Sequence, residues 1–306
     1  MSRNSRQPGP QGRPMRSLAA EIRRLARHDS ANEVVPGIHL YHRTRAVGPT
    51  HGVVGPSLCV IAQGSKEVLL GSELFRYDTE NYLLVSMQLP LVSRIVEASE
   101  DDPYLAFRLV LDPAMIAAVM VDAGEAALRG GDSVRGLAVS VLEQELSDAI
   151  LRLVRLVDSP LEYRMLAPLV KREIVFRLLM GQQGARLRHV AVLGGQSHRI
   201  AKAVDRLKAS FDKPLRIEDL ARDLGMSVSG FHHHFKAVTA MSPLQFQKQI
   251  RLQEARRLML GDGLDAASAG HKVGYDNPSH FSREYKRLFG EPPMRDVERL
   301  QALTVG

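Results

Sequence analysis

The chain has 306 residues, of which 44% are hydrophobic and 25% are charged, and this length suits two globular domains. No apolar run approaches the roughly 20 residues that cross a membrane, and the Arg-, Pro- and Gly-rich start does not resemble a secretory signal. The single cysteine, Cys59, excludes an internal disulfide and a cysteine-based zinc cluster. It fits a reducing cytoplasm, where we expect the protein to reside.

The net charge of +7 is unevenly distributed. Residues 1–28 carry seven Arg and one Glu, whereas residues 196–306 carry 18 Lys or Arg and 13 Asp or Glu. Residues 29–195 are mildly acidic, with 16 Lys or Arg and 20 Asp or Glu. This distribution indicates that only part of the chain meets a polyanion such as nucleic acid.

The first half of the chain predicts a basic tail, a short helix and then strands. Residues 1–16 read as a disordered basic tail, and Ser17 to Arg27 as a short helix followed by the extended stretch PGIHLYHR. From 57 to 111, short apolar runs rich in β-branched residues alternate with Gly, Ser, Asp and Pro turns. This pattern predicts a small antiparallel barrel or sandwich.

After Pro113 the pattern becomes helical, with predicted helices at 115–125, 138–157 and 162–180. The last two carry apolar stripes at helical spacing, so these helices either join the preceding core or form a hairpin that pairs with another subunit. The sequence GGQS at 194–197 reads as a domain boundary. The predicted domains are therefore the tail 1–16, a first domain 17–193 and a second domain 194–306.

The second domain contains an internal repeat. RIEDLARDLGMSVSGFHHHFKAVTAMSP at 216–243 aligns with LDAASAGHKVGYDNPSHFSREYKRLFGEPP at 264–293, with an offset of about 50 residues. Each copy reads as a helix, a Gly-containing turn and a second helix. Between the copies, Ser242 as N-cap and Pro243 at the first helical position begin one long predicted helix.

The second helix of each copy is predicted to bury aromatic residues and to expose polar ones. At 100° per residue, the face opposite Phe231 presents Ser229, His233 and Lys236, with His232 at its side. The face opposite Phe281 presents Ser279, Arg283 and Lys286, with Ser282 at its edge. A DNA major groove admits such a helix, and Arg can donate two hydrogen bonds to guanine there, while Lys and Arg elsewhere contact phosphates.

These repeats resemble the DNA-binding domain of the AraC/XylS family of bacterial transcription regulators, in LARDLGMSVSGFHHHFKAVTAMSPLQFQKQIRLQEARRLML and VGYDNPSHFSREYKRLFGEPP. PSLCVIAQGSKEVLLG, YLLVSMQLP and ASEDDPYLAFRLVLDP resemble the AraC-type N-terminal domain. The resemblance implies an α+β protein, with a cupin-like antiparallel β-barrel and dimerisation helices followed by an all-α double helix-turn-helix domain. Two departures stand out: His233 occupies a position where relatives often have Arg, and Gly270 one where a larger apolar residue is usual. The first leaves the base preference open, and we expect the second to loosen the second helix-turn-helix unit.

The resemblance also implies the functional positions and partners. The base-reading residues would be Ser229, His232, His233, Ser279 and Arg283, and the phosphate contacts Lys236, Ser282, Lys286 and Arg287. The partners would be double-stranded promoter DNA, a small organic effector, RNA polymerase and a second copy of the chain, in a homodimer or a monomer–dimer equilibrium. We expect activation of transcription, with no catalytic residues, metal, cofactor or membrane.

Three alternative interpretations fit the sequence less well. A metal cupin needs clustered His and Glu ligands, and the segment 57–111 contains no His. Three consecutive histidines at 232–234 point 100° apart on a helix and do not converge on one ion. A nucleoid-type structural protein has no need of the long middle domain.

Cys59 has two interpretations, a small buried strand residue or a thiol that senses electrophiles or oxidants at the effector pocket. Lys66 and Arg94 would lower the pKa of its thiol if the fold brought them close.

Overall fold

The computed structural model describes residues 12–124, 135–191 and 196–305. By its internal contacts the chain divides into two compact units. The first comprises Met1–Thr50 and Val54–Gly195, and the second comprises His51–Val53 and Gln196–Gly306. No helix in the described ranges combines the length and apolarity needed to cross a membrane.

The first unit begins with helix α1 (Gly12–Leu25), which starts five residues earlier than predicted and so includes the last part of the predicted tail. Its buried residues Met15, Leu18, Ala19 and Ile22 follow a spacing of three and four, which places them on one face of the helix. That apolar face explains why the helix forms ahead of Ser17. Residues 1–11 of the predicted tail lie outside the described residues.

Ten strands follow in the described part of the first unit and the adjoining segment. They are β1 (Ser30–Val35), β2 (Ile38–Arg43), β3 (Thr50–Val54), β4 (Ser57–Gln63), β5 (Ser65–Leu70), β6 (Glu73–Tyr77), β7 (Asn81–Val85), β8 (Leu89–Glu97), β9 (Tyr104–Val110) and β10 (Leu137–Val141). They form a six-stranded sheet in the order β1-β2-β9-β4-β7-β10 and a four-stranded sheet in the order β3-β8-β5-β6.

The α+β class is confirmed, and of the two predicted arrangements, barrel or sandwich, the described strands form two sheets that do not close into a barrel. Closure needs hydrogen-bonded ladders that join the edges of one sheet to those of the other, and no such ladder is present among the described strands. The two sheets are instead open. Their side chains meet across the space between them, where the Nζ atom of Lys66 in β5 lies 5.8 Å from the ring centroid of Tyr41 in β2.

The helices of the first unit are α2 (Pro113–Ala123), α3 (Gln144–Arg155), α4 (Pro160–Met180) and α5 (Gly184–Ala191), with a short 3-10 turn at Leu156–Asp158. The predicted helix at 138–157 is wrong at its start, because residues 138–141 belong to β10, which pairs with β7. The β-branched sequence LAVSV explains the strand. Helix α4 continues through Pro168.

The main core of the first unit lies on the outer face of the six-stranded sheet. Leu105, Phe107 and Leu109 alternate along β9 and all pack into it, together with apolar side chains of α1, α3 and α4. The residues between them on β9, Tyr104, Ala106 and Arg108, therefore point to the opposite face, toward the space between the sheets.

The second unit is helical in its described part. Its helices are α6 (Gln196–Ala209), α7 (Ile217–Asp223), α8 (Val228–Thr239), α9 (Pro243–Gly261), α10 (Ala266–Lys272), α11 (Pro278–Phe289) and α12 (Pro293–Val305). Helices α7 and α8 form the first helix-turn-helix, α10 and α11 the second, and α9 is the long linker helix. The start of α9 at Pro243 agrees with the sequence-based prediction.

Local sequence explains these boundaries. The Ser242 hydroxyl accepts from the backbone N–H of Gln245 while the Gln245 side chain accepts from the N–H of Ser242, a capping box that begins α9. Asn277 caps α11 through the N–H groups of Ser279 and His280, with Pro278 at the first helical position. The turns of the two repeats contain Gly225 at φ +63° and Gly274 at φ +87°, a region that favours glycine.

The second helix-turn-helix has a tightly packed aromatic core, in which the Phe281 ring packs directly against Gly270. Phe281 and Tyr285 are completely buried beside Leu252, Ala255 and Val273. A Cβ atom added to Gly270 would lie 2.9 Å from Cγ of Phe281. The expectation that this glycine loosens the unit is therefore wrong, because the Phe281 ring occupies the space of the missing side chain.

We predict that Gly270→Leu, which restores the residue type usual at this position, destabilises the second unit. The new side chain collides with Phe281, so we expect the free energy of unfolding to fall by about 1–3 kcal/mol in chemical denaturation. The matched control is Gly261→Ala at the end of α9, where an added Cβ meets nothing within 4 Å. Equal stability of Gly270→Leu and the wild type would contradict this account of the core.

Candidate nucleic-acid interface

Helix α8 has a buried aromatic side and an exposed polar side. Phe231 and Phe235 are completely buried, with ring centroids 5.5 Å apart, and Phe235 also meets Phe246 of α9. The opposite side carries exposed residues, which are Ser229, His232, His233 and Lys236. These are the outward positions that the 100° spacing predicts.

The histidine triplet divides between the two sides of α8. His232 and His233 are exposed, whereas His234 is half-buried and its ring lies 5.3 Å from that of His233. Within the described residues no group of three or more His, Cys, Asp or Glu side chains is arranged to hold a metal ion. The arrangement presents two imidazoles, each able to donate or accept a hydrogen bond at an approaching surface.

Helix α11 repeats this arrangement. Phe281 and Tyr285 are buried, and the other side carries the exposed residues Ser279, Arg283, Lys286 and Arg287, with Ser282 half-buried at the edge. No carboxylate lies within ion-pair distance of Arg283 among the described residues. Its five N–H donors are therefore not committed to an acidic side chain of the unit.

Arg287 differs from its neighbours on α11, because its Nη2 atom lies 2.9 Å from the Glu284 carboxylate. Glu284 is nearly buried and also pairs with Lys248 of α9 at 2.5 Å. A phosphate contact by Arg287 therefore competes with this ion pair.

His280 is exposed at the start of α11 beside the Tyr275 ring, and sequence reasoning did not single it out.

The two helix-turn-helix motifs are joined through one arginine of the linker helix. Arg251 donates from Nε to the Phe211 carbonyl at 2.5 Å and from Nη2 to the Lys213 carbonyl at 2.9 Å, both in the loop that precedes α7. It also donates from Nη1 to the Gly274 carbonyl at 2.8 Å, in the turn of the second motif. Gln247, one turn earlier, donates to the same two carbonyls of the first loop.

Glycine is required at the point where these segments meet. A Cβ atom at Gly274 would lie 2.0 Å from the Asp212 carbonyl oxygen. The turn of the second motif and the loop ahead of the first are therefore in direct backbone contact. The sequence signal for this contact is weak, because it consists of only one glycine and two polar residues, Gln247 and Arg251, four apart on α9.

A second buried polar network anchors α11 and α12 to α9. The Asp296 carboxylate is completely buried and accepts two hydrogen bonds from Arg256, at 2.7 and 2.8 Å. It also accepts from Arg299 at 2.6 Å and from the Tyr285 hydroxyl at 2.9 Å. Burial alone would raise the pKa of Asp296, but these hydrogen bonds outweigh it and hold the pKa below its usual value.

Cys59 lies in β4 of the first unit, on the face directed at the space between the sheets. Its register partner on β9 is Arg108, and Lys66 reaches toward it from the smaller sheet. Burial raises the pKa of the Cys59 thiol, and Lys66 and Arg108 only partly offset this effect. Arg94 does not act on Cys59, because it pairs with Glu67 at 2.7 Å, on the other face of β5 from Lys66.

Comparison with known proteins agrees with this architecture. The model of the AraC-type transcriptional regulator N-terminus matches residues 34–186, which is half of the chain. A helix-turn-helix domain model matches residues 220–299. The chain belongs to the AraC/XylS family of transcription regulators.

The sequence similarity between this chain and known regulators covers only part of their length. The transcriptional regulator ArgR of Pseudomonas aeruginosa is 26% identical over 132 residues, which cover 43% of this chain and 40% of ArgR. A probable thc operon regulatory protein of Rhodococcus erythropolis is 34% identical over 100 residues, which cover 31% of this chain and 30% of that protein. The matched part is thus less than half of each relative.

Solved structures show that the fold is shared. ToxT from Vibrio cholerae, bound to a butenoic acid derivative, has a TM-score of 0.57 at 10% identity, over 85% of this chain and 97% of that one. ToxT bound to an unsaturated fatty acid has a TM-score of 0.55 at 10% identity, over 85% and 93%.

We predict that Asp296→Asn destabilises the second unit by about 3–5 kcal/mol in chemical denaturation at pH 7, because it removes a completely buried charge that holds the partly buried Arg256. The folded-state pKa of Asp296 lies below 3.8, so its contribution is fully present above that pH. The contribution is lost as the pH falls through the lower folded-state value. The stability gap between wild type and variant should therefore narrow below pH 3.8.

The control for this prediction is Glu298→Gln, at an exposed position on the same helix. It should leave the unfolding curve within about 0.5 kcal/mol of the wild type. A gap between wild type and Asp296→Asn that stays constant down to the acid transition would contradict the role given to the Asp296 carboxylate.

Proposed function

We propose that the chain is a sequence-specific DNA-binding transcription regulator whose first unit binds a small organic effector. The observation that carries the proposal is the duplicated helix with a buried aromatic side and an exposed polar side, in α8 and α11, on one linker helix. Family membership supports it. The proposal includes the prediction that this protein activates transcription through RNA polymerase, in the cytoplasm, and has no enzymatic activity, as the regulators among its relatives suggest.

The proposal assigns roles to the exposed residues of the two reading helices. Ser229, His232 and His233 of α8 and Ser279 and Arg283 of α11 read base edges in the major groove. The phosphate contacts are assigned to Lys236, Ser282, Lys286 and Arg287. The ion pair between Arg287 and Glu284 has to break before Arg287 can contact a phosphate. Arg283 is the strongest candidate for direct readout, because it is exposed, carries no acidic partner within the described residues and matches the two acceptors of guanine.

An effector site in the first unit is the second part of the proposal. The ToxT structures hold a fatty acid and a butenoic acid derivative in a protein of this fold. In the present chain the space between the two sheets is the corresponding candidate, and Cys59 lies on its wall. Since its thiol stays protonated at neutral pH, we assign Cys59 to contact with the effector rather than to redox sensing.

Helix α4 supports a homodimer. Its inner side packs Ile174, Val175 and Leu178 into the core, whereas Leu166 and Leu169 of the predicted stripe are exposed. The exposed apolar residues of α4 include Leu161, Met165, Leu169, Phe176 and Met180. These five fall within an arc of about 100°. This apolar stripe, which Arg172 interrupts between Leu169 and Phe176, marks an interaction surface, and we propose that it pairs with α4 of a second copy.

We predict that Arg283→Ala and Lys286→Ala, two exposed cations on α11, differ in what they change. Arg283→Ala should cost about 1–3 kcal/mol on the preferred site and little on random DNA, and it should relax base preference at one position. Lys286→Ala should weaken binding to both DNAs alike and lower the salt dependence by about one phosphate contact. Fluorescence anisotropy at several salt concentrations measures both effects. An equal loss on all sequences from Arg283→Ala would contradict its base-reading role.

We predict that Met165→Glu with Leu169→Glu weakens self-association by about tenfold or more, because it places charge in the apolar stripe of α4. Sedimentation velocity over a concentration series measures the change. Leu74→Glu, at a position 61% exposed on β6, is the matched control and should associate like the wild type. A dimer unaffected by the α4 changes would show that the subunits pair elsewhere.

A further inference from the structure

Two cations face the space between the sheets of the first unit without an acidic partner. Lys66 points inward from β5, and Arg108 points inward from β9. Neither side chain lies within ion-pair distance of a carboxylate among the described residues, whereas the outward-facing Arg94 and Arg76 of the same small sheet pair with Glu67 and Glu97. The Nε atom of Arg108 has no accessible surface and no hydrogen-bond partner.

The strand register fixes the neighbours of Arg108. His39 of β2 and Cys59 of β4 are its direct cross-strand partners, and Leu83 of β7 follows beyond Cys59 in the same row. Glu33 supplies a carboxylate at the edge of this row, beyond His39, where it lies 4.0 Å from the imidazole and accepts from Gly37 N–H. It is two strands away from Arg108, a distance of about 10 Å, so it does not neutralise the guanidinium.

Neutral hydrogen-bond donors surround the two cations. Tyr41 lies beneath Lys66, and Tyr77 and Tyr104 are almost completely buried nearby. Burial raises the pKa of all three phenols, so they remain protonated and can donate. Ile61, Leu83 and Val85 supply apolar surface on the same side of the large sheet.

The two cations and their neighbours are not completely enclosed by the protein. Lys66, Arg108, Cys59 and Tyr41 all keep accessible surface. Protein nevertheless surrounds most of Lys66, and this burial lowers the pKa of its ammonium group. Side chains that line a recess in the space between the sheets are expected to combine this partial exposure with burial of most of their surface. A cation that is largely removed from water and has no acidic partner lowers the stability of the fold. An anion bound between Lys66 and Arg108 would offset this cost, so the recess is a suitable site for an anion.

We infer that the effector is a small organic acid whose carboxylate is bound between Lys66 and Arg108, with its apolar body against Ile61 and Leu83. This deepens the proposed function and rests on it. The planar guanidinium of Arg108 matches the two oxygens of a carboxylate, and Lys66 adds a point charge from the opposite sheet. The three phenols complete the set of donors, and among the described residues the Glu33 carboxylate lies only at the edge of the row, beyond His39.

The test is isothermal titration of the full chain with benzoate and with octanoate, each compared with its neutral amide, benzamide or octanamide. We expect at least one acid to bind and its amide to bind at least tenfold more weakly. Lys66→Met should weaken the acid at least tenfold, and Arg108→Gln similarly. Arg94→Gln, on the outer face of the same sheet, should bind the acid like the wild type.

Thermal unfolding shows that loss of binding is not loss of fold. Without ligand, Lys66→Met should melt at the wild-type temperature or higher, because it removes a partly buried charge that has no acidic partner among the described residues. The inference is overturned if neither acid binds, if amides bind as well as acids, or if Lys66→Met and Arg94→Gln bind alike. DNA binding of the same samples separates the two proposals: selective DNA binding without acid binding refutes only this inference, and acid binding without selective DNA binding refutes only the DNA-binding role.

Discussion

Arg251 holds the two helix-turn-helix motifs to one helix. Its guanidinium group satisfies two carbonyls of the loop ahead of the first motif and one carbonyl in the turn of the second. A charged donor shared by three backbone acceptors is a strong constraint, since its removal leaves several partly buried carbonyls without partners. The close approach of Gly274 to Asp212 keeps the two segments in contact at the same point. The positions of α8 and α11 relative to α9 depend on this junction.

The Asp296 network extends the constraint to the end of the chain. It ties α9 to α11 through the Tyr285 hydroxyl and to α12 through its own backbone, inside the aromatic core of the second motif. The reading residues lie on the outside of helices whose inner sides are fixed in this way. A preorganised pair of helices loses little conformational freedom on binding, which favours affinity for a site with the matching spacing.

Sequence reasoning predicted the elements that local chemistry determines. The caps at Ser242 and Asn277, the turn glycines and the outward faces of α8 and α11 all follow from spacing and residue type. It was wrong at β10, where five residues next to a helix join a distant strand, because strand pairing is a long-range property. It was also wrong about Gly270, because the complementary Phe281 ring is visible only in the packed structure. The junction at Arg251 and the recess at Lys66 depend on tertiary contacts that no local pattern encodes.

The measurement that tests the central claim most directly is the dependence of DNA affinity on spacing. A site selected from random DNA should contain two segments separated by about one helical turn, 10–10.5 base pairs. Because the two motifs are held on one linker helix, an insertion of about five base pairs between the segments should lower the affinity as much as scrambling one segment. Equal affinity for the original and the expanded site would show that the motifs move independently, and it would contradict the rigid junction described above.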